Sequence, residues 1–142
     1  MKNPWKLPLG ELTEVARQAA RKDHGDVVTY VVNRNANFTR ICHVGCAFCG
    51  FGRRPGTPGA TTDTIDRVVA RVGETPWVTE VCLQGGIDPD LPPSYYFDLV
   101  RELRKNFPWM HLHAFSPMEI DSLCAKAGEE PEVMLPRLRA AG

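Results

Sequence analysis

Short β-branched and aromatic runs alternate with amphipathic stretches along most of this 142-residue chain. That alternation limits the fold more than any other feature. Residues 27–32 (Val-Val-Thr-Tyr-Val-Val) read as a strand, Asn33-Arg34-Asn35 as a turn, and residues 36–41 as extended again. Residues 78–84 and 110–115 read as two further strands. Between them lie helical patterns. Asp63 is placed to cap a helix with Ile65, Val68, Val69 and Val72 on its core face. A second helix follows Pro92-Pro93-Ser94, with Tyr96, Leu99, Val100, Leu103 and Phe107 inward. Ile120, Leu123, Cys124 and Ala127 mark a third, and Pro131 opens a fourth, in which Pro136 removes a backbone donor and should kink the helix. Strand, helix, strand, helix, strand, helix, with crossovers of this length, predicts parallel βαβ units in an α/β fold. An amphipathic helix over residues 9–22 precedes them and ends at Asp23-His24-Gly25-Asp26. The expected organisation is an N-terminal helical extension over residues 1–26 and the α/β part over residues 27–142.

Composition closes off several functions. Lys plus Arg and Asp plus Glu number 17 each, so bulk positive charge for nucleic acid is absent. No apolar run approaches the roughly 20 residues that span a bilayer. The opening Met-Lys-Asn-Pro-Trp-Lys-Leu-Pro has no apolar region of the kind a secretory signal carries. Five cysteines, three of them clustered, suit a metal site in a reducing cytoplasm better than a disulfide framework. The expectation is a cytoplasmic protein that binds neither nucleic acid nor membrane.

The clustered cysteines are Cys42, Cys46 and Cys49, in the run Cys-His-Val-Gly-Cys-Ala-Phe-Cys. Three thiolates on one loop can hold three irons of a four-iron cluster and leave the fourth open for chemistry. A structural zinc site is the rival. It needs a fourth ligand, and Cys82, Cys124, His24, His111 or His113 would have to supply it without any partner spacing of its own. Cys82 and Cys124 lie in a strand and on a helix face, where inert buried thiols are common.

In α/β folds the working loops lie at the carboxyl ends of the strands. The cysteine loop, Gly85-Gly86 and Ser116-Pro117 all follow predicted strands, so they are expected on one face. Gln84-Gly85-Gly86 offers close backbone approach, or a plain turn. Ser116 and Glu119 offer polar groups at the rim, or a helix capping box. His111 and His113 share a strand face, as ligand or proton donors or as structural histidines. Asn33, Asn35, Asn37 and Thr39 alternate in the first strand region, pointing inward or pairing with one another as a hairpin. Arg53-Arg54 reads as solvated loop charge or as an anion contact.

The spacing C-x3-C-x2-C after a strand, with Phe48 just before the last cysteine, resembles the signature of the radical S-adenosylmethionine (SAM) superfamily. Three blocks narrow the likeness. Tyr30-Val-Val-Asn-Arg-Asn-Ala-Asn-Phe-Thr39, Val81-Cys-Leu-Gln-Gly-Gly-Ile-Asp-Pro-Asp-Leu-Pro92 and His111-Leu-His-Ala-Phe-Ser-Pro-Met-Glu-Ile120 resemble the tyrosine-using half of FO synthase, the CofH family and the C-terminal half of the fused FbiC enzyme. The resemblance spans about residues 26–125. It implies a six-unit TIM-like (βα) barrel, of which about three units are expected here, as the N-terminal portion of such a domain. It implies a 4Fe-4S cluster on Cys42, Cys46 and Cys49. SAM is implied on the open iron, near Phe48, Gln84, Gly85, Gly86, Ser116 and Glu119. It implies L-tyrosine and 5-amino-6-(D-ribitylamino)uracil as substrates of a 4-hydroxyphenyl transfer towards a deazaflavin coenzyme. A reductant such as ferredoxin or flavodoxin and a CofG-type partner subunit follow from the same likeness. The acidic residue usual after the glycines is absent, since Ile87 stands there and Asp88 comes one place later. Asp121-Ser122 replaces the Asn-Gly-like step usual in the family. An aminofutalosine-type enzyme of menaquinone biosynthesis shares the loop and the Gln-Gly-Gly strand. A catalytically inactive iron–sulfur-binding fragment is a reading of another class.

Overall fold

The computed structural model describes residues 3–142; Met1 and Lys2, which begin the expected extension, lie outside the described residues. The chain divides into two compact units, Met1–Tyr30 and Val31–Gly142. In the first, a 3-10 turn (Pro4–Lys6) capped by Asn3 precedes helix α1 (Leu9–His24). No residue of α1 is buried, and Gly25 ends it at φ 64°.

The second unit is α/β. Its order is β1 (Asn33–Asn37), α2 (Ile65–Gly73), β2 (Glu80–Gln84), α3 (Pro93–Asn106), β3 (His111–Ala114), α4 (Pro117–Ala127) and α5 (Pro131–Ala141). The three strands form one parallel sheet in the order β1-β2-β3. Sequential parallel pairing joined by helical crossovers is the arrangement of part of a TIM-like barrel. Period-2 alternation splits the sheet into two faces. Ala36, Val81 and Leu83 have no exposed surface and pack with Phe38, Val68, Val72, Leu99, Leu103 and Leu123. The opposite face carries Asn33, Asn35, Glu80, Cys82, His111 and His113.

The first strand corrects the sequence expectation. Residues 27–32 are not a strand, and the expected turn Asn33-Arg34-Asn35 lies inside β1. The ladder decides this. Asn33–Asn37 pairs with Glu80–Gln84, whereas Val27, Val28 and Tyr30 remain exposed. β-propensity reports fit to a half-buried surface, and here the partnered stretch is the polar one. The cap of α2 also differs. Thr64, not Asp63, accepts from the Arg67 N–H, at 3.3 Å. Asp63 instead receives Arg71 at 2.9 Å. Helix α5 runs through Pro136, which leaves the carbonyl four residues earlier without its helical donor.

Leu83→Ala should cost about 2–5 kcal/mol in urea denaturation, because it opens a cavity at the centre of the core. Val133→Ala, half-exposed on α5, should stay within about 0.5 kcal/mol. Equal losses at both positions would contradict this placement of the core.

Candidate cofactor site

The cysteine loop is closed at its base by the chain that enters and leaves it. Cys42 N–H donates to the Arg53 carbonyl at 2.8 Å, Arg53 N–H to Arg40 at 2.7 Å, and Arg40 N–H to Thr61 at 2.9 Å. Thr39 and Thr62 hydroxyls meet at 2.6 Å one step further down. Within the loop, Gly45 takes φ 67°, a left-handed conformation that glycine enters without a Cβ clash. Arg54 lies directly over Gly45 and donates to the His43 carbonyl. Arg53 donates to the Gly50 carbonyl at 3.0 Å and to that of Gly52 at 2.9 Å. The two arginines therefore tie the loop to itself.

Cys42, Cys46 and Cys49 line one pocket of about 220 Å³ with Gly45, Gly52, Arg53 and Arg54. Cys42 is half-buried, and Cys46 and Cys49 are exposed. The Gly52 N–H points at Cys49 Sγ at 3.5 Å. The backbone donors of Gly52 and then Phe51 hold the Cys49 thiol below its ordinary value, with a smaller contribution from Arg53. Among the described residues, no three His, Cys, Asp or Glu side chains converge on a point that would hold a single metal ion. The thiols surround a volume instead. Donors that favour thiolate, two cations and three sulfurs around a pocket fit a cluster that brings its own bridging sulfides.

Gly85 and Gly86 bring the exit of β2 against this loop. A Cβ on Gly85 would stand 2.7 Å from the Phe38 ring and 2.9 Å from Thr39. One on Gly86 would run into the Ile41 carbonyl and lie 2.9 Å from the Cys42 side chain. Gly86 N–H donates to Thr39 at 2.9 Å. His43 then closes on the same turn, with its N–H 3.1 Å and its Nδ1 3.0 Å from the Ile87 carbonyl. The glycine pair is thus fixed by packing against the loop. Asp88, where the family's acidic residue is displaced by one, is buried and internally used. It accepts from Thr62 Oγ1 and from the Asp90 N–H, both at 3.0 Å.

The exit of β3 joins them through Glu119. This carboxylate is 2% exposed. One oxygen accepts from the Gly85 N–H at 2.9 Å, the other from Ser116 N–H at 2.8 Å and Ser116 Oγ at 2.7 Å. The capping box is therefore formed, and its carboxylate also holds the end of β2. Phe115 precedes it at φ 67°, costly for an aromatic residue, with its ring edge-on to Tyr96 at 5.3 Å. Phe48 is 94% exposed on the loop, and the Gln84 side chain is exposed at the end of β2.

The structure therefore gathers the cysteine loop, Gly85-Gly86 and Ser116 at the carboxyl edge of the sheet. His111 opens β3 at the sheet's amino end, and His113 lies opposite Cys82, midway along β2. Two participants escaped the sequence reading. His43, inside the cysteine motif, pins the loop to the glycine turn. Glu80 lies at the amino end of β2 on the same face as both histidines. Its only sequence signal was an acidic residue inside a predicted strand.

A parallel α/β sheet with three thiols at its carboxyl edge is the framework of a cluster-binding barrel enzyme. Residues 36–142 match the radical SAM superfamily model, and the chain belongs to that superfamily. It is 48% identical over 136 residues to "FO synthase" of Nocardia farcinica, covering 94% of this chain and 16% of that protein. It is 46% identical over 138 residues to "FO synthase" of Mycobacterium tuberculosis strain H37Rv, covering 95% and 16%. It is 42% identical over 140 residues to "5-amino-6-(D-ribitylamino)uracil--L-tyrosine 4-hydroxyphenyl transferase" of Methanopyrus kandleri, covering 96% and 38%. The chain thus spans about one sixth to two fifths of these relatives.

Gly86→Ala should destabilise the chain by about 1–3 kcal/mol and lower the iron it retains after reconstitution, since the β2 exit must move off Cys42. Gly50→Ala, with nothing within 4 Å of its added Cβ, should do neither. Full iron in Gly86→Ala would contradict the packing role.

Burial pushes the Glu119 carboxyl above its ordinary 4.5, against the hydrogen bonds from Ser116 and Gly85. A raised acid binds its proton more tightly when folded. Its contribution to stability is therefore present below pH 4.5 and is lost as pH rises through the folded-state value. Glu119→Gln should remove that slope from a stability–pH profile. It should also cost about 1–3 kcal/mol near neutrality, because an amide NH2 faces the Ser116 donors. An unchanged slope in the variant would contradict the assignment.

Proposed function

We propose that this chain is the cluster- and SAM-binding portion of a radical SAM transferase that moves the 4-hydroxybenzyl group of L-tyrosine to 5-amino-6-(D-ribitylamino)uracil. The observation that carries the proposal is the docking of the three-cysteine loop against Gly86, at the carboxyl edge of a sheet whose sequence matches the named relatives almost end to end. The reading places the protein in the reducing cytoplasm. No helix of the described residues is long and apolar enough to cross a membrane.

Cys42, Cys46 and Cys49 would each hold one iron of a 4Fe-4S cluster and leave the fourth iron for the amino and carboxylate groups of SAM. When bound and reduced, such a cluster would supply the electron for reductive cleavage of SAM. The protein's part is positional. The backbone donors of Gly52 and Phe51 favour thiolate at Cys49. Arg53 and Arg54 set positive charge beside the thiolates. Phe48, exposed on the loop, is free to lie against adenine. Gln84, Gly85 and Gly86 would line the approach to the methionine end of SAM. Ser116 stands at the third strand exit, and Glu119 holds that exit against Gly85. The external electron donor would be a ferredoxin or flavodoxin, and a CofG-type subunit would make the companion half-reaction.

The test is anaerobic reconstitution followed by dithionite and SAM. The expected result is about four irons and four sulfides per chain and formation of 5′-deoxyadenosine, abolished in Cys46→Ala. Tyrosine with the ribitylaminouracil should then yield the coupled product, and a menaquinone precursor should not. One zinc per chain without sulfide would overturn the cluster. A full cluster that leaves SAM intact would favour the inactive iron–sulfur-binding reading.

A further inference from the structure

The face of the sheet turned away from the helices is chemically unusual. Parallel sheets are ordinarily covered on both faces and apolar on both. Here the helix side obeys that rule, with Ala36, Val81 and Leu83 fully buried. The other side is polar from edge to edge. The ladder sets Asn33 beside Glu80 and Glu80 beside His111, and one step along it sets Asn35 beside Cys82 and Cys82 beside His113.

Glu80 is the centre of this surface. Its side chain is only 14% exposed, and its Oε1 accepts from Asn33 Nδ2 at 2.5 Å. His111 Nε2 lies 3.8 Å from Oε2 and His113 Nδ1 lies 3.6 Å from Oε1, with both rings about two-thirds exposed. Among the described residues no lysine or arginine pairs with Glu80. The protein's own groups therefore use this carboxylate only in part, and the donors and acceptors beside it remain open.

We propose that this cluster is the subsite for the polyhydroxylated side chain of the pyrimidine substrate. The inference rests on the function proposed above and deepens it. A carboxylate only accepts, whereas imidazole and carboxamide can each donate and accept. A row of hydroxyls, each with one donor and two acceptor lone pairs, answers all three. An apolar occupant would leave them unpaired at a cost of about 1–3 kcal/mol for each buried group. An anion would meet Glu80 directly. A metal ion lacks three converging ligands here.

Distance separates this diol-binding cluster from the glycine turn beside the cysteine loop. Four residues of β2 lie between Glu80 and the glycine turn, about 16 Å at the rise of a strand. That span lets an elongated molecule present its ring near the cysteine loop while its hydroxylated tail lies over Glu80.

The test measures equilibrium binding to the reconstituted chain, anaerobically and without reductant. The probes are 5-amino-6-(D-ribitylamino)uracil, 5,6-diaminouracil (which lacks the polyol) and SAM. The chain should prefer the ribityl compound by about tenfold or more. Glu80→Gln and, separately, His113→Ala should erase that preference and leave SAM affinity unchanged. Circular dichroism melts should show both variants folded. His113 is exposed, so its truncation tolerates the fold even where Glu80→Gln does not. Equal binding of the two pyrimidines would overturn the subsite, as would binding of neither. Retained preference in the folded variants would overturn it too. Loss of SAM affinity in place of ribityl preference would reassign the diol site to SAM. The two proposals fail separately: a chain that cleaves SAM but shows no polyol preference keeps its function and loses this subsite.

Discussion

The structure depends on one close approach. Gly86, at the exit of β2, lies so near the Ile41 carbonyl and the Cys42 side chain that any Cβ there would overlap them. That contact brings the second strand's exit under the first strand's loop. His43 then doubles the attachment through the Ile87 carbonyl, and Gly86 N–H returns a bond to Thr39. The cysteine loop has few buried groups of its own. It is ordered by its stapled base and by this neighbour, and the thiols inherit their arrangement from both.

A second connection extends the same logic to the third strand. Glu119 uses both oxygens on backbone and hydroxyl donors, joining Gly85 to Ser116. A buried carboxylate is tolerable only when its lone pairs are satisfied, and here three donors satisfy them. The three strand exits are thereby linked in series, by glycine packing between the first and second and by a carboxylate between the second and third. Lys126 reinforces the turn between them, donating to the carbonyls of Asp88 at 3.0 Å and Leu91 at 2.8 Å. Rigid placement of several loops on one edge is what a reactive intermediate needs from its protein.

Much of this was legible in the sequence, because the relevant signals are local. Helical periodicity identified α2, α3 and α4, and the spacing of Cys42, Cys46 and Cys49 identified the loop. Ser116 and Glu119 stand three apart before an apolar run, and the capping box forms as that pattern predicts. The failures came where partners decide. The Val-rich residues 27–32 find no strand to pair with, while Asn33–Asn37 does. Asp63 and Thr64 are both plausible caps, and only the neighbouring Arg71 draws Asp63 away. The polar face could be read as alternation, but Glu80 gained meaning only when the register set it beside Asn33 and His111.

The central claim is that the loop holds a cluster with one iron open to SAM. The most direct measurement is the electron paramagnetic resonance spectrum of the reduced, reconstituted chain, recorded with and without SAM. The account predicts a reduced-cluster signal whose g-values shift when SAM is added. A cluster signal that SAM leaves unchanged would contradict it.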